Sequence, residues 1–307
     1  MAGKKPKLIA ILGPTASGKS TLGIKLAQEF DGEIVSADSR QVYRGLDIGS
    51  GKVTPDEQRL VPHHLLDVVE PMADFSLAHF QPLAFAAIDD ILARDRIPFL
   101  VGGTALYIYS VVDNYNLSDV GANPERRKEL EKKSVEELQS TLANASPLLR
   151  GRLGGGLNES DAKNPRRLIR AIEKLESGES LQSKKGPQKY DNLILGTDIP
   201  REELYKKIDQ RVDERIKQGM IEEVKSLICR DAIPRVSENW LIGLGLEYRY
   251  ITEHLQGKCT KDEMVKRLKG AIHAFARRQM TWFKRDKKII WIKELDEARQ
   301  QVKNFLQ

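Results

Sequence analysis

Short apolar runs alternate with amphipathic stretches over the first third of the chain. Lys7–Gly13 is an apolar run that ends in glycine, as a buried parallel strand does. Ser20–Phe30 follows it with apolar residues at helical spacing. Glu33–Asp38 and Ile97–Gly103 repeat the strand pattern, and Leu77–Asp95 between them repeats the helical one. This alternation predicts an α/β fold with a parallel sheet.

From residue 123 onward the pattern becomes charged and helical. Asn123–Ala145 and Asn164–Ser177 both have the composition of surface helices, and a glycine-rich loop at Gly151–Asn158 lies between them. The second helix starts at an asparagine, which is a favourable N-cap, and a glycine follows its last residue. We therefore predict that residues 123–190 form a helical insertion domain.

The chain then returns to the strand pattern. Leu193–Ile199 is another apolar run, the sequence after Arg201 is mostly helical, and a short apolar run at Trp291 predicts a late strand. Residues 1–122 and 191–307 are accordingly expected to form one core domain around the insertion.

The first strand runs directly into a glycine-rich sequence, GPTASGKS. Its spacing, G-x-x-x-x-G-K-[ST], between a predicted strand and a predicted helix is typical of a P-loop. Backbone N–H groups and the helix N-terminus would hold phosphate oxygens, Lys19 would neutralise their charge, and the Ser20 hydroxyl would ligate Mg²⁺. The predicted phosphate-binding residues are Gly13, Pro14, Thr15, Ala16, Ser17, Gly18, Lys19 and Ser20. The fold class is thus α/β, a P-loop NTPase-like parallel sheet flanked by helices, with a helical insertion domain and a mostly helical C-terminal region.

No carboxylate follows the strand at which P-loop NTPases usually carry a magnesium ligand. That strand ends in Gly102-Gly103-Thr104, whereas an acid, Asp38, follows the second strand. The carboxyl ends of parallel strands meet at one crevice, so we expect Asp38, Thr104 and the P-loop to share a site. The residues alone leave Asp38 open as a general base, a metal ligand or a turn residue.

Basic residues are concentrated near the C-terminus. The net charge is +6, and Lys258–Lys288 carries eleven Lys/Arg against three Asp/Glu. A concentrated basic segment favours nucleic-acid binding. Within it, Trp282 is open between a core residue and a residue that stacks on RNA bases. On the helix after Arg201, Arg211 lies beside an apolar stripe and could reach a diphosphate, although a charged row on a helix ordinarily faces solvent.

The composition indicates a soluble protein of a reducing compartment. The two cysteines, Cys229 and Cys259, are far apart and lack metal-ligand spacing. No apolar run is long enough to cross a bilayer, and the N-terminus lacks the apolar core of a signal peptide. We expect a cytoplasmic protein that acts as a monomer without membrane association.

Taken together, these features resemble the tRNA dimethylallyltransferase family, prenyltransferases that modify an adenosine of the anticodon loop. The resemblance rests on stretches that occur in family order along nearly the whole chain: GPTASGKS at 13–20, DSRQVYRGLDIGSGK at 38–52, VPHHLLDV at 61–68, LVGGTALY at 100–107, NPRRLIRAIE at 164–173, ELYKKIDQRVDERIKQGMIEEV at 203–224 and ARRQMTW at 276–282. Two stretches, Gly49–Val53 and Ile272–Ala274, depart from the residues that are usual in the family.

The resemblance implies a P-loop that holds the diphosphate of dimethylallyl diphosphate and a tRNA anticodon stem-loop as acceptor. Asp38 would accept the proton from N6 of the adenosine at position 37 of the tRNA as that nitrogen attacks the allyl group. Lys19, Ser20 and Arg211 would stabilise the departing pyrophosphate, with Mg²⁺ near Ser20. The implied tRNA contacts are Asp38, Ser39, Arg40, Gln41, Thr104, Arg166, Arg167, Leu168, Ile169, Arg170, Arg277, Arg278, Gln279, Trp282 and Lys284.

Three other functions share some of these features. A relative that prenylates free adenylate would keep the site but has no use for the basic segment and the insertion. A small-molecule kinase would use the P-loop to bind ATP, and an RNA-binding protein could carry a vestigial P-loop. The intact Lys19 and Ser20 argue against the last alternative.

Overall fold

Six strands form one sheet in which every pair is parallel. We describe the protein from a computed structural model, which covers residues 5–117, 123–145, 161–178, 181, 185–229 and 235–307. The strands are β1 (Lys7–Leu12), β2 (Gly32–Ala37), β3 (His63–His64), β4 (Ile97–Gly102), β5 (Asp191–Thr197) and β6 (Ile290–Ile292), in the spatial order β3-β2-β4-β1-β5-β6. The predicted P-loop NTPase-like α/β fold is confirmed.

The central strands are buried because they are apolar along their whole length. In β1 every residue from Leu8 to Leu12 is fully buried, and the strand pairs with β4 on one side and β5 on the other. Such continuous apolar runs are what a parallel sheet covered by helices requires. The short strand β3 was not predicted, because its two residues are histidines; it pairs with Ile34 and Val35 of β2.

Helices make up most of the remaining structure. They are α1 (Lys19–Glu29), α2 (Pro55–Leu60), α3 (Leu77–Ala93), α4 (Ala105–Val112), α5 (Pro124–Leu130), α6 (Val135–Ala145), α7 (Pro165–Glu176), α8 (Arg201–Lys217), α9 (Met220–Ile228), α10 (Glu238–Leu244), α11 (Leu246–Leu255), α12 (Lys261–Phe283) and α13 (Leu295–Leu306). The single predicted helix at Asn123–Ala145 is wrong in one respect, because it is two helices, α5 and α6. Among the described residues, no helix is both long and apolar enough to cross a membrane.

The chain divides into two compact units, Met1–Asp113 with Gln188–Gln307, and Asn114–Pro187. The larger unit contains the sheet. Apolar clusters described in this unit include one on the sheet around Ile9 and Phe99 and one among the C-terminal helices around Tyr248 and Leu268.

The smaller unit has an apolar core of its own, where α5, α6 and α7 meet around Leu130 and Leu138. The side chain of Asn164 accepts a hydrogen bond from the backbone of Arg167, so it caps α7 as predicted. The predicted loop at Gly151–Asn158 lies outside the described residues.

Candidate active site

The P-loop, Gly13–Ser20, connects β1 to α1 at the carboxyl edge of the sheet. Glycine is required at position 13, since a Cβ there would overlap the Thr197 hydroxyl. That hydroxyl donates to Ser17 Oγ at 2.7 Å and so ties the loop to β5. Gly18 adopts a left-handed conformation (φ 83°) immediately before α1. These constraints direct the helix N-terminus, with its partial positive charge, towards any bound phosphate.

Lys19 is partly buried, and its ammonium group donates to the carbonyl of Pro14 at 3.2 Å. Its pKa is lowered from an ordinary 10.5 to about 8; burial is the largest cause, the positive charges of Arg211 and Arg215 add to it, and the carboxylate of Asp38 opposes them. A lysine held against like charges binds an anion strongly, because the anion relieves both the repulsion and the lost hydration.

Asp38 and Thr104 lie beside this loop, as the strand order predicts. Asp38 follows β2, and its Oδ1 accepts a hydrogen bond from Arg40 N at 2.8 Å. Thr104 follows β4, and its Oγ1 accepts from Ser39 N at 3.2 Å. Together with Lys19 these residues line a cavity of about 580 Å³, which we call the first cavity. One oxygen of Asp38 is thus fixed by the backbone, and the residue faces the space in which an acceptor would bind.

Two arginines of α8 reach this region. The expectation that the charged row of this helix faces solvent is wrong for Arg211, which is partly buried, and for Arg215, which is only 8% exposed. It is right for Lys207, which is exposed and pairs with Glu203 at 2.7 Å. Arg215 and its partner Glu247, 3.3 Å away, are site residues that the sequence analysis missed. Arg215 could have been found from its spacing, because it lies four residues after Arg211 and so shares a helix face with it.

A loop centred on Gly49 covers both arginines. Glu223 holds this loop, because its carboxylate accepts hydrogen bonds from the backbone of Asp47 and Ile48 at 3.0 and 2.6 Å, and from Gly49 N at 3.0 Å. The loop is further held by Gln41, whose Nε2 donates to Gly51 O at 3.1 Å. The role of Gln41 in the site is therefore to support the loop.

A second cavity of about 570 Å³ lies beyond the P-loop. Five residues line both cavities: Lys19, Ser20, Gly51, Arg211 and Arg215. An anion bound by these cations would thus be accessible from two sides. A substrate that carries the anion and an acceptor that reacts with this substrate can reach this point from different cavities.

Ser20 is the predicted metal ligand. Among the described residues, no cluster of three or more His, Cys, Asp or Glu side chains could hold a metal ion. The Ser20 hydroxyl would therefore be one protein ligand of Mg²⁺, and phosphate oxygens and water would supply the others. Mg²⁺ commonly binds to phosphates in proteins in this way.

Gln279, predicted as a tRNA contact, lines the first cavity and also holds two backbone groups of the site. It is 8% exposed, its Oε1 accepts from Thr15 N at 3.0 Å, and its Nε2 donates to Gly103 O at 2.8 Å. Both ends of the amide are therefore occupied by backbone groups. Gln279 connects the P-loop to the end of β4 and positions it.

The other predicted residues of α12 and of the turn after it remain accessible. Arg277, Arg278 and Lys284 are exposed, and Arg277 donates to the Tyr205 hydroxyl at 2.9 Å. Trp282 is partly buried, with its ring centroid 4.8 Å from that of Tyr109, so it is at least in part a packing residue.

Of the residues of α7 that were predicted to contact RNA, only the arginines have accessible side chains. Leu168 and Ile169 are 0% and 5% exposed and pack in the core of this unit, so the expectation that they contact RNA is corrected. Arg166 and Arg167 are exposed, and Arg170 is partly buried and pairs with Glu173. The helix is amphipathic, and it therefore presents its basic residues and its apolar residues on different faces.

Comparisons with known proteins give a consistent result. The sequence profile described as IPP transferase matches residues 41–286, and one described as isopentenyl transferase matches residues 6–67. The chain is 44% identical to the tRNA dimethylallyltransferase of Roseiflexus sp. (strain RS-1), over 91% of this chain and 90% of that protein. It is 40% identical to the tRNA dimethylallyltransferase of Pelotomaculum thermopropionicum, over 94% and 91%.

Two solved structures are similar over nearly the whole chain. The tRNA isopentenylpyrophosphate transferase of Bacillus halodurans matches with a TM-score of 0.69 at 35% identity, over 98% of this chain and 96% of that one. A eukaryotic dimethylallyltransferase acting on tRNA matches with a TM-score of 0.76 at 24% identity, over 98% of this chain and 77% of that one, which supports the fold.

Proposed function

The chain belongs to the IPP transferase family of tRNA dimethylallyltransferases, and from this membership we propose the reaction at its site. The enzyme transfers a dimethylallyl group from dimethylallyl diphosphate to N6 of the adenosine at position 37 of the tRNA, in the anticodon loop. The products are N6-isopentenyladenosine and pyrophosphate.

The observation that carries this proposal is the position of Asp38. Its carboxylate lines the same cavity as Lys19, Ser20 and Arg211, so a base and a diphosphate clamp face one space. In the proposed step, N6 of adenosine forms a bond to C1 of the allyl group while the bond from C1 to the diphosphate oxygen breaks. Pyrophosphate leaves with that electron pair, and the N6 proton passes to Asp38.

The chain's own cations stabilise the leaving group. Negative charge builds on the diphosphate as the C–O bond breaks, and Lys19, the guanidinium of Arg211 and the P-loop backbone oppose it. Mg²⁺ held by Ser20 and the phosphates would add further positive charge when bound. The end of β4 carries Thr104 rather than a carboxylate, which suits a bound leaving group better than phosphoryl transfer from ATP.

The acceptor must be large and unstacked. A base within a stacked loop cannot place N6 beside Asp38, so the adenosine has to be extruded into the first cavity. On the larger unit, the exposed Arg277, Arg278 and Lys284 supply cations for the phosphates of an anticodon stem-loop. Arg166 of the smaller unit is also exposed and is a separate candidate for a phosphate contact. We further propose that the enzyme acts as a monomer in the cytoplasm, a reducing compartment that suits its free Cys229 and Cys259.

The test compares acceptors directly. The purified protein is incubated with labelled dimethylallyl diphosphate, Mg²⁺ and either unmodified tRNA or AMP, and separately with labelled ATP. Label is expected in tRNA alone. Label in AMP would establish the adenylate alternative, and phosphate transferred from ATP would establish a kinase.

Asp38→Asn tests the base. It keeps the size of the side chain but removes its ability to accept the proton, so we expect kcat to fall by about 10²–10⁴-fold with tRNA affinity kept. Asp56→Asn, at an exposed residue of α2, is the matched control and should retain full activity. Normal turnover by the Asp38 variant would refute its assignment as the base.

A further inference from the structure

We propose that Arg215 is a second guanidinium ligand of the departing diphosphate, next to Arg211, and that glycine at position 51 admits it to the site. The inference rests on the proposed function for the identity of the anion. It assigns an active-site role to a residue that the sequence analysis did not single out.

Arg215 is held in place by contacts that use only part of its hydrogen-bonding capacity. It is 8% exposed, and Nη1 lies 3.4 Å from Gly49 O and 3.3 Å from Glu247 Oε1. Both distances are long for contacts of a charged group. A guanidinium has five N–H donors, so most of its hydrogen-bonding capacity remains for a ligand. Because Arg215 lines both cavities, a ligand in either can reach it.

In the first cavity the cations outnumber the carboxylates, and two of the four acids that line the second cavity, Asp47 and Asp67, are paired with Lys52. Lys19, Arg211 and Arg215 meet at the boundary of the two cavities, and Asp38 and Glu247 are the acids of the first cavity. Among the described residues, Arg211 makes no ion pair with a carboxylate. Burial and then the charge of Arg215 lower the pKa of Arg211 to about 10. Two buried guanidiniums side by side repel each other, and a multivalent anion between them reverses that repulsion.

The glycine at position 51 is needed for this arrangement. It has φ +61°, and a Cβ there would collide with the guanidinium of Arg215 and come within 2.5 Å of Arg211 Nη2. Both guanidiniums therefore pack against the bare backbone of this residue. The neighbouring Gly49 is similarly constrained, since a Cβ on it would lie 2.7 Å from the ring of Tyr248.

Guanidiniums suit this role because their planar fork matches two phosphate oxygens at once. As the C–O bond breaks, charge accumulates on the oxygens of the leaving group. A second fork would bind this state more strongly than the ground state, and would therefore raise kcat as well as pyrophosphate affinity.

The test measures binding of inorganic pyrophosphate with Mg²⁺ by calorimetry, which needs no turnover. Arg215→Met keeps much of the length and removes the charge, and we expect it to weaken pyrophosphate binding by about 10–100-fold. Arg215→Lys should lie in between, because it keeps the charge but loses the fork. Lys217→Met, at an exposed lysine of the same helix, removes the same charge and should change binding by less than about twofold.

Gly51→Ala provides an independent second variant. The added methyl group should displace the guanidinium of Arg215 and weaken pyrophosphate binding in the wild-type background. In the Arg215→Met background the same change should have a much smaller effect, because its main steric partner is gone. This non-additivity is the signature of direct coupling between the two positions.

Three outcomes would overturn the proposal. They are unchanged pyrophosphate affinity in Arg215→Met, additive effects of the two substitutions, or a parallel loss of pyrophosphate affinity, tRNA affinity and melting temperature that marks Arg215 as a support of the fold. Failure of the proposed function is recognised separately. In that case the wild-type protein transfers no dimethylallyl group to tRNA, whatever its affinity for pyrophosphate.

Discussion

Replacing Gln279 by methionine should loosen the P-loop, because it removes the amide that joins the loop to the end of β4. The amide of Gln279 bridges Thr15 N and Gly103 O, at 3.0 and 2.8 Å, in a buried setting. Methionine has a similar length but can serve neither partner. The variant therefore leaves a donor on the P-loop and an acceptor at the end of β4 unpaired.

The magnitude follows from the two backbone groups. An unpaired buried polar group costs about 1–3 kcal/mol, so two of them should lower the free energy of unfolding by about 2–6 kcal/mol. If about half of that appears as displacement of the phosphate-binding amides, kcat/KM for dimethylallyl diphosphate should fall by about 5–150-fold. The affinity for tRNA should stay within about twofold.

Chemical denaturation and steady-state kinetics check these values. Gln300→Met, at an exposed glutamine of α13, is the matched control, and it should change stability by less than about 0.5 kcal/mol. Gln279→Glu adds a second test, since an ionised carboxylate can accept from Thr15 N but cannot donate to Gly103 O. A Met variant with wild-type stability and donor kinetics would refute the bridging role. A Met variant that lost only tRNA affinity would show Gln279 to be an RNA contact instead.

Two further predictions concern ionisation. Because the pKa of Lys19 is lowered to about 8, pyrophosphate affinity should fall as the pH rises from 7 to 9.5 in the wild type but not in Lys19→Arg, as calorimetry at several pH values would show. A steeper loss of pyrophosphate affinity with pH in Lys19→Arg than in the wild type would contradict the assignment. In the unfolded chain Lys19 keeps its proton up to about pH 10.5, so this residue should also make the folding stability rise with pH between 8 and 10.5. Glu33 is 1% exposed at the opposite end of the sheet from the P-loop, and a hydrogen bond from Arg94 is the main reason that its pKa is lowered to about 2. Glu33→Gln should lower the free energy of unfolding by about 1–3 kcal/mol at pH 7, and this difference should shrink as the pH falls from 4 towards 2. The kcat should not change. A lower kcat at full stability would place Glu33 in the site instead.

The sheet was predictable because its strands are read from local sequence. Continuous apolar runs such as Lys7–Leu12 specify buried parallel strands, and the P-loop spacing fixes what lies between the first strand and helix. From this the meeting of Asp38, Thr104 and Lys19 follows directly, since parallel strands end at one edge. The two-residue strand at His63–His64 has no such apolar run, and it is a strand only because it pairs with β2.

The arginines of α8 show what the sequence cannot supply. Helical periodicity tells which residues share a face, but not what covers that face. The cover here is the loop at Gly49–Gly51, which lies far from α8 in the chain and which Glu223 holds in place. Leu168 and Ile169 show the reverse error. Their position within a family stretch suggested RNA contact, whereas the amphipathic pattern of their own helix already placed them in a core.

The order of the strands has a consequence for synthesis of the protein. β1 emerges from the ribosome long before one of its two neighbours, β5, which begins only at Asp191. Arg211 and the Gln279 bridge follow later still. Pairings between such distant segments form slowly, because the long intervening chain must first be closed. Translation therefore exposes the phosphate-binding sequence long before β5, Arg211 and Gln279 can complete the site around it.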